Sequence, residues 1–259
     1  MSRPAIFITG AAAGIGRATA ELFAGRGWTV GLYDVAEGAV TALRQQLGAG
    51  QAVVGKLDVC DAGAFDAALA AFFEAAGGRL DVLFNCAGIL SVGDFESIDP
   101  GRHRRIVEVN LLGVLNGCQA ALPYLRQTPG ACVLNMASAS ALYGTPGFAS
   151  YSASKFAVRG LTEALNIEWA RHRVRVMDIA PLFVDTPMVS NVEAPTSLKR
   201  LGLRLSAADI AGVAWTAAHW RLWPRAHWYP GWQTKLLAFL QKLSPPFLNR
   251  LSSKLISGY

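Results

Sequence analysis

Short apolar segments alternate along the chain with longer segments in which apolar and polar residues repeat at helical spacing. The apolar segments are nearly continuous, as expected for strands that are covered on both faces. Six of them are predicted strands, at residues 5–9, 28–34, 52–58, 80–86, 131–137 and 174–180. Five predicted helices lie between them, at residues 15–26, 37–48, 61–76, 100–127 and 150–171. This order predicts an α/β fold, a single doubly wound domain over residues 1–259 with a parallel sheet and helices on both faces.

Two segments depart from this alternation. Residues 181–205 show no clear periodicity, and three prolines interrupt any helix there, so we predict a long loop at the substrate site. Residues 231–259 form an amphipathic C-terminal extension, in which leucines recur at helical spacing with Lys235 and Lys242 among them.

The charge of the chain is concentrated at its C-terminal end. The net charge is +6, and no acidic residue follows Asp209. Three interpretations of the extension stay open: it covers the substrate pocket, contacts a partner subunit, or lies in a lipid interface. Packing is favoured because amphipathic helices are more often packed than lipid-bound. Nucleic-acid binding is disfavoured because the basic residues follow a hydrophobic helix pattern and form no clustered groove-facing set.

The remaining composition indicates a folded protein of the reducing cytoplasm, with contact to a membrane surface kept open. The chain is 52% hydrophobic and 16% charged, which excludes a disordered chain. It shows no secretory signal and no apolar run long enough for a membrane span. The four cysteines are widely spaced and predict free thiols, and the four histidines are scattered, so no metal site is expected.

The first strand leads directly into the segment TGAAAGIG, at residues 9–16, which opens the first helix. Gly10, Gly14 and Gly16 allow a sharp turn and a close approach to a pyrophosphate group. The N-terminus of the helix then offers free N–H groups and the positive end of its dipole. The segment therefore predicts a Rossmann-type dinucleotide site.

The second strand ends in Asp34, whose carboxylate can accept hydrogen bonds from ribose hydroxyl groups. The same carboxylate would repel the 2′-phosphate of NADP, so NAD is the predicted cofactor and NADP is less favoured. Arg17, beside the glycine-rich segment, is the one feature that favours NADP.

Tyr151 and Lys155 lie four residues apart in YSASK, and therefore on one face of the fifth predicted helix. A phenol with an ordinary pKa of about 10 is a poor base at neutral pH. A neighbouring ammonium group and an oxidised nicotinamide both favour the phenolate, so the pair predicts an acid/base for an alcohol. Ser138 ends the fifth predicted strand, at the functional edge of the sheet, and can hydrogen-bond the reacting oxygen.

These motifs, together with NCAG at residues 85–88 and Asn110 in VNLLG, resemble those of the short-chain dehydrogenase/reductase family over residues 4–190. The resemblance implies an NAD(P)-dependent alcohol dehydrogenase or carbonyl reductase. It implies that Asn110 holds a water linking Lys155 to solvent, and that Lys155 also contacts the nicotinamide ribose. It further implies a dimer or tetramer, with the helices at residues 100–127 and 150–171 as subunit contacts.

The resemblance also implies a set of cofactor-binding residues, in which Asp58 contacts the adenine ring and Thr186 the nicotinamide carboxamide. The set is Gly10, Ala13, Gly14, Ile15, Gly16, Asp34, Asp58, Val59, Asn85, Ala87, Gly88, Tyr151, Lys155, Pro181, Val184 and Thr186. Ser138, Tyr151, Leu182 and Phe183 are the predicted substrate contacts.

The chain departs from the family pattern at three places. Cys86 replaces the second asparagine of the NCAG segment, and Leu182 stands where the family has a glycine. A leucine is strained there if the backbone needs a positive φ, so we expect a different turn. Beyond Trp228, the chain lacks the short strand and glycine pair with which members often end, and its tail resembles that of members acting on lipids.

The expected function is hydride transfer between NAD(H) and a lipophilic secondary alcohol or ketone of steroid, retinoid or fatty type. The alternative is a non-catalytic nucleotide-sensing protein, or a peripheral membrane protein, that keeps the fold.

Overall fold

A parallel sheet of seven strands forms the centre of the protein, in the order β3–β2–β1–β4–β5–β6–β9. The computed structural model describes residues 3–48, 50–190, 196–202 and 205–258. Its strands are β1 (Ala5–Thr9), β2 (Thr29–Asp34), β3 (Ala52–Lys56), β4 (Val82–Asn85), β5 (Cys132–Met136), β6 (Arg175–Ile179), β7 (Val184–Asp185), β8 (Leu205–Ser206) and β9 (His227–Trp228). Strands β7 and β8 pair separately with each other.

Helices cover both faces of this sheet. They are α1 (Gly14–Gly25), α2 (Glu37–Leu47), α3 (Ala62–Ala75), α4 (Pro100–Val107), α5 (Gly113–Leu125), α6 (Ala149–Glu168), α7 (Pro187–Ser190), α8 (Thr196–Leu201), α9 (Ala207–His219), α10 (Gly231–Leu243) and α11 (Pro246–Ser257). A π-helical turn, Glu108–Leu112, joins α4 to α5. Short polar side chains begin several of the helices: Asp61 accepts a hydrogen bond from the backbone of α3, and Asp99 does the same for α4.

The strands divide the core into two layers because successive side chains point to opposite faces. In β1, Phe7 faces α3 and α5, where its ring stacks on that of Tyr33 with 4.2 Å between the ring centres. Its neighbours Ile6 and Ile8 face the layer that holds α1, α2 and α9. All five residues of β1 are buried, which explains the continuous apolar pattern of the sequence.

The strand order places the site. The chain passes from β1 outward to β2 and β3, and then returns to β4 on the other side of β1. The loops after β1 and β4 therefore leave the sheet in opposite directions, and a crevice opens at the carboxyl ends of these strands.

The predicted α/β fold with a doubly wound parallel sheet is confirmed, with two additions outside residues 181–205. Helix α9 and strand β9 are absent from the sequence prediction, although Ser206 and Asp209 form a reciprocal capping box at the start of α9. A short terminal strand is present, since Asp178 and Ile179 of β6 pair with His227 and Trp228, so the departure from the family pattern begins after Trp228. That the whole chain forms one domain stays a prediction.

The segment predicted as an irregular loop, residues 181–205, contains short elements. Strand β7, the helices α7 and α8, and the start of β8 all fall within it. Its residues 191–195 and 203–204 lie outside the described residues. Pro187 does not break a helix but begins α7, as its fixed φ allows at a first helical position.

One helical stretch in the described part of the chain, Pro100–Leu125, is long and apolar enough to span a membrane by length and composition. Half of its apolar window is buried inside the protein. Its second half, α5, packs against α3 in the core. We therefore assign it as a core helix.

Candidate active site

The glycine-rich segment after β1 forms a cradle with an open helix end. Gly10 has φ of 70°, and a Cβ placed on it would lie 2.8 Å from the Cα atom of Ala87. Ala13 occupies the N-cap of α1 without a side-chain hydrogen bond, and the first turn carries no acidic residue. The free N–H groups of α1 are therefore available to an anionic group.

Asp34 ties this cradle to the end of β2. Its carboxylate accepts hydrogen bonds from the backbone N–H of Ala12 at 3.1 Å and from that of Ala36 at 3.0 Å. It lines the same cavity as the glycine-rich segment. Arg17 is held elsewhere, since its guanidinium donates to Glu21 at 2.8 Å and to Gln46 at 3.0 Å.

The segment after β4 closes the other side of the cradle. The hydroxyl of Thr9 accepts hydrogen bonds from the N–H groups of Cys86 and Ala87, both at 3.1 Å. Ala87 and Gly88 line the cavity. Cys86 lines it too, but burial raises the pKa of its thiol to about 12, so it stays protonated near neutral pH.

Three predicted cofactor residues do not line the cavity. Asn85 donates to the side chain of Asn135 at 2.9 Å, deep between β4 and β5. Asp58 accepts hydrogen bonds from the Cys60 N–H at 3.0 Å and from Arg105 at 2.7 Å, and this lowers the pKa of its carboxyl. Val59 is buried in the core. Their predicted contacts with a cofactor stay predictions.

Asn110 lies in the π-helical turn between α4 and α5. Its Oδ1 accepts from the N–H of Ile89 at 2.8 Å, and its Nδ2 donates to the carbonyl of Ile89 at 3.0 Å and to the hydroxyl of Ser154 at 3.2 Å. A Cβ placed on Gly88 would lie 3.3 Å from Asn110 Oδ1 and 3.7 Å from Lys155 Nζ. Both polar groups therefore meet at Gly88.

Tyr151, Lys155 and Ser138 come together at the carboxyl end of β5. Lys155 Nζ lies 5.5 Å from the centre of the Tyr151 ring and donates to the carbonyl of Met136, the last residue of β5, at 2.7 Å. Ser138 begins the turn after β5, lines the cavity beside Tyr151, and lies close enough to the phenol to lower its pKa. The structure thus brings the acid/base candidates to one point of the cavity.

Burial is the main cause of the pKa shifts of Tyr151 and Lys155. Desolvation raises the pKa of the Tyr151 phenol, and the nearby Ser138 hydroxyl opposes that rise. Burial lowers the pKa of Lys155 to about 8, although the side chain keeps one carbonyl partner. The predicted lowering of the phenol's pKa by Lys155 is therefore not seen in the protein alone, and the positive charge of an oxidised nicotinamide would have to supply it.

The lowered pKa of Lys155 predicts a pH-dependent stability of the cofactor-free protein. Between pH 8 and pH 10.5 the unfolded chain holds a proton that the folded chain has lost, so folding becomes more favourable as the pH rises. We expect the unfolding free energy of the wild type to rise by up to ~3 kcal/mol relative to Lys155→Met across this window. Denaturant unfolding at several pH values measures the difference. The control Lys56→Met removes an exposed lysine, so the difference in unfolding free energy between it and the wild type should not change with pH. A pH-independent difference for Lys155→Met would contradict the prediction.

The cavity in front of these groups has a volume of about 850 Å³ and extends from the cradle to the C-terminal helices. Close to Tyr151 its wall is aromatic: the ring centre of Phe148 lies 6.4 Å from that of Tyr151 and 6.3 Å from that of Phe183. Leu182 also lines the cavity, as predicted for a substrate pocket. A mainly apolar wall with a few hydrogen-bonding groups is the usual composition of a small-molecule site.

The segment after β6 lies beside this point without strain. Among the described residues, Arg173 is the only non-glycine with a positive φ, so Leu182 has an ordinary backbone conformation. The carbonyl of Pro181 accepts from the N–H of Ala139 at 2.8 Å. Thr186 Cγ2 lies 3.3 Å from the place of a Cβ on Gly14, which puts Thr186 over the glycine-rich segment, and the buried Val184 lines the same cavity.

Helices α10 and α11 form the far wall of the cavity, a placement that sequence reasoning left among three alternatives. Their cavity-lining apolar residues are Trp232, Leu236, Leu237, Leu240, Leu248, Leu251, Leu255 and Ile256. The sequence also missed Tyr143, Phe148 and Met188 as lining residues, because they follow no motif. All four cysteines are free thiols, and the described residues contain no cluster of His, Cys, Asp or Glu that fits a metal ion.

Comparison with known proteins agrees with this geometry. Residues 4–197 match the family model described as short chain dehydrogenase. The 2,5-dichloro-2,5-cyclohexadiene-1,4-diol dehydrogenase of Sphingobium indicum is 38% identical over 197 residues, which cover 74% of this chain and 77% of that protein. The cyclopentanol dehydrogenase of Comamonas testosteroni is 35% identical over 205 residues, which cover 76% of this chain and 79% of the relative.

Solved structures show the same fold. The 3-ketoacyl-(acyl-carrier-protein) reductase from Brucella melitensis, complexed with NADH, superposes with a TM-score of 0.82 at 27% identity, covering 89% of this chain and 98% of the other. A short chain dehydrogenase/reductase from Burkholderia phymatum, in complex with NAD, gives 0.81 at 28% identity, with 92% of each chain covered.

Proposed function

This chain belongs to the short-chain dehydrogenase family, an assignment that rests on the match over residues 4–197, and from this premise we propose that it transfers a hydride between NAD(H) and a lipophilic secondary alcohol or ketone. The observation that carries the proposal is the meeting of Tyr151, Ser138 and Lys155 in an apolar cavity that also reaches the dinucleotide cradle. One cavity could therefore hold the cofactor and the substrate side by side.

The cradle fits a dinucleotide. The uncapped N-terminus of α1, the close approach of Gly10 to Ala87 and the carboxylate of Asp34 provide for a pyrophosphate and a ribose. NAD, when bound, supplies the nicotinamide carbon that accepts or returns the hydride.

The side chains of the protein would handle the proton. In alcohol oxidation, the Tyr151 oxygen takes the hydroxyl proton as the carbinol carbon loses its hydride, and Ser138 holds the reacting oxygen. Lys155 places a buried cation beside the phenol. Asn110 Oδ1 and Lys155 Nζ both lie near Gly88, and a water held between them would link Lys155 to solvent. In ketone reduction the same groups act in reverse.

The cofactor preference follows from Asp34, and we expect NAD to exceed NADP at least about tenfold in kcat/KM. Asp34→Asn removes the negative charge that repels a 2′-phosphate, and it removes one hydrogen-bond acceptor for the backbone. The kcat/KM for NAD should therefore fall about tenfold, and the ratio of kcat/KM for NAD to that for NADP should decrease. Steady-state kinetics with both cofactors measure this. The control is Asp61→Asn, a helix cap that does not line the cavity; a wild type that prefers NADP would contradict the proposal.

The substrate class is proposed from the cavity wall and the relatives. The cavity is lined mainly by apolar side chains, and two of the relatives are, by name, dehydrogenases of a cyclic alcohol and a cyclic diol. A panel of secondary alcohols from cyclopentanol to steroid-sized and fatty alcohols tests it. We expect kcat/KM to rise with apolar size, and a constant or falling value would contradict a lipophilic substrate.

Subunit contacts are proposed at α4–α6, where several large apolar side chains are exposed: Val107, Leu112, Leu115, Phe156 and Ile167. A face of this kind suits a homodimer or homotetramer. A non-catalytic nucleotide-sensing protein is disfavoured because it has no chemical need for Tyr151, Lys155 and Ser138 at one point. Location in the cytoplasm stays a prediction.

A further inference from the structure

The two C-terminal helices expose a large apolar surface, which we name the C-terminal face. It consists of the side chains of Trp232, Leu236, Phe239, Leu240, Leu243, Phe247, Leu248, Leu251 and Leu255, which are between 43% and 68% exposed. Nine large apolar side chains exposed on two consecutive helices are uncommon on a protein that has only water as its neighbour.

The C-terminal face is continuous with the cavity. Six of its nine side chains also line the cavity: Trp232, Leu236, Leu240, Leu248, Leu251 and Leu255. The other three, Phe239, Leu243 and Phe247, are among the most exposed and do not line it. The face therefore surrounds an apolar route from the surface toward Tyr151 and also extends beyond that route.

The charged side chains of the two C-terminal helices are all basic, and the acidic Glu163 of α6 lies beside Lys242 at the edge of the face. Lys235, Lys242, Arg250 and Lys254 on α10 and α11 are all exposed, and the chain has no acidic residue after Asp209. Apolar side chains flanked by cations suit a surface of anionic lipid headgroups over acyl chains. A second copy seated on the same face would instead bring four cations against four.

We propose that the C-terminal face docks onto the surface of an anionic phospholipid membrane, and that apolar substrate enters the cavity directly from the lipid. The docking depends only on the two helices and their charges. The entry route rests on the proposed function, since it supplies the alcohol or ketone on which Tyr151 acts.

Co-sedimentation with vesicles tests the docking. The wild type should sediment with vesicles of equal parts phosphatidylglycerol and phosphatidylcholine, and about tenfold less with phosphatidylcholine alone. The triple variant Phe239→Ser, Leu243→Ser, Phe247→Ser should lose binding about tenfold or more. The pair Lys242→Glu and Arg250→Glu should abolish the preference for phosphatidylglycerol. The control pair Arg44→Glu and Lys56→Glu, exposed near the opposite edge of the sheet, should bind like the wild type.

Two results would overturn the docking. One is a wild type that does not bind the phosphatidylglycerol vesicles. The other is a triple variant that binds them as well as the wild type does. Light scattering tests the rival occupant, a second copy of the chain. If the wild type does not bind vesicles and the triple variant forms a smaller oligomer than the wild type, the face is a subunit contact.

Kinetics with two substrates separate the entry route from the function itself. The triple variant should oxidise a water-soluble secondary alcohol like the wild type, because its three residues lie outside the cavity wall. With a long-chain secondary alcohol carried in the vesicles, its kcat/KM should fall about tenfold. Equal kcat/KM values on the vesicle-borne alcohol would overturn the route. Vesicle binding by a protein that oxidises no alcohol would leave the docking standing and overturn the proposed function alone.

Discussion

Phenylalanine at position 151 is expected to lower kcat for alcohol oxidation about a thousandfold, while NADH binds within a few-fold of its wild-type affinity. The substitution keeps the ring against Phe148 and removes only the oxygen that exchanges the proton. The neighbouring polar groups have other partners, since the Lys155 ammonium donates to the Met136 carbonyl and the Ser138 hydroxyl accepts from the N–H of Ser140. Steady-state kinetics and a fluorescence titration with NADH measure the two quantities.

The matched control for this loss is Tyr124→Phe. Tyr124 lies on α5, packs against Phe73 with 4.8 Å between the ring centres, and does not line the cavity. Its loss of a hydroxyl should leave kcat within a few-fold of the wild type. If Tyr151→Phe also turned over at nearly the wild-type rate, Tyr151 would not be the acid/base.

Alanine at position 16 is expected to weaken the binding of NADH at least about a hundredfold. A Cβ on Gly16 would overlap the carbonyl oxygen of Gly10, and it would lie 3.1 Å from the Cα atom of Ala11. These are backbone atoms of the cradle itself, so the cradle must move away from the geometry that places α1 at the pyrophosphate. An NADH fluorescence titration measures the affinity, and circular dichroism with thermal melting shows whether the variant is still folded.

The control for this substitution lies in the same helix. A Cβ on Gly25 would have no neighbour within 4 Å, and alanine is the better helix former, so Gly25→Ala should keep its affinity for NADH and melt at the same or a slightly higher temperature. A folded Gly16→Ala protein with wild-type affinity would show that the cradle does not hold the cofactor.

The sequence predicted the elements whose signal is local. Buried parallel strands are continuous apolar runs, and apolar residues recur at helical spacing in the helices between them. The succession of β1 to β6 along the chain and the cradle after β1 could therefore be predicted. Strand β9 has only two residues, too few for any periodic signal, and it forms because β6 offers a free edge. Helix α9 did have a local signal, the capping box of Ser206 and Asp209, which the sequence prediction did not use.

The candidate site shows the same division. Helical spacing placed Tyr151 beside Lys155, and the family resemblance added Ser138 and Asn110 to the same site. Whether a side chain faces the cavity depends on partners distant in the chain, as when Asp58 turns to Arg105. The position of α10 and α11 at the cavity likewise depends on long-range packing, which no local pattern encodes.

Transfer of deuterium is the most direct test of the central claim, that this cavity passes a hydride between an alcohol carbon and NAD. A cyclic secondary alcohol labelled with deuterium at its carbinol carbon is incubated with NAD and the wild-type protein, and the reduced cofactor is analysed by mass spectrometry. The alcohol then becomes a ketone, NAD becomes NADH, and one proton is released through Tyr151. We predict one deuterium in each reduced cofactor, a slower rate than with the unlabelled alcohol, and almost no product with Tyr151→Phe. Reduced cofactor without deuterium, or no reduction with any alcohol of the panel, would contradict the account.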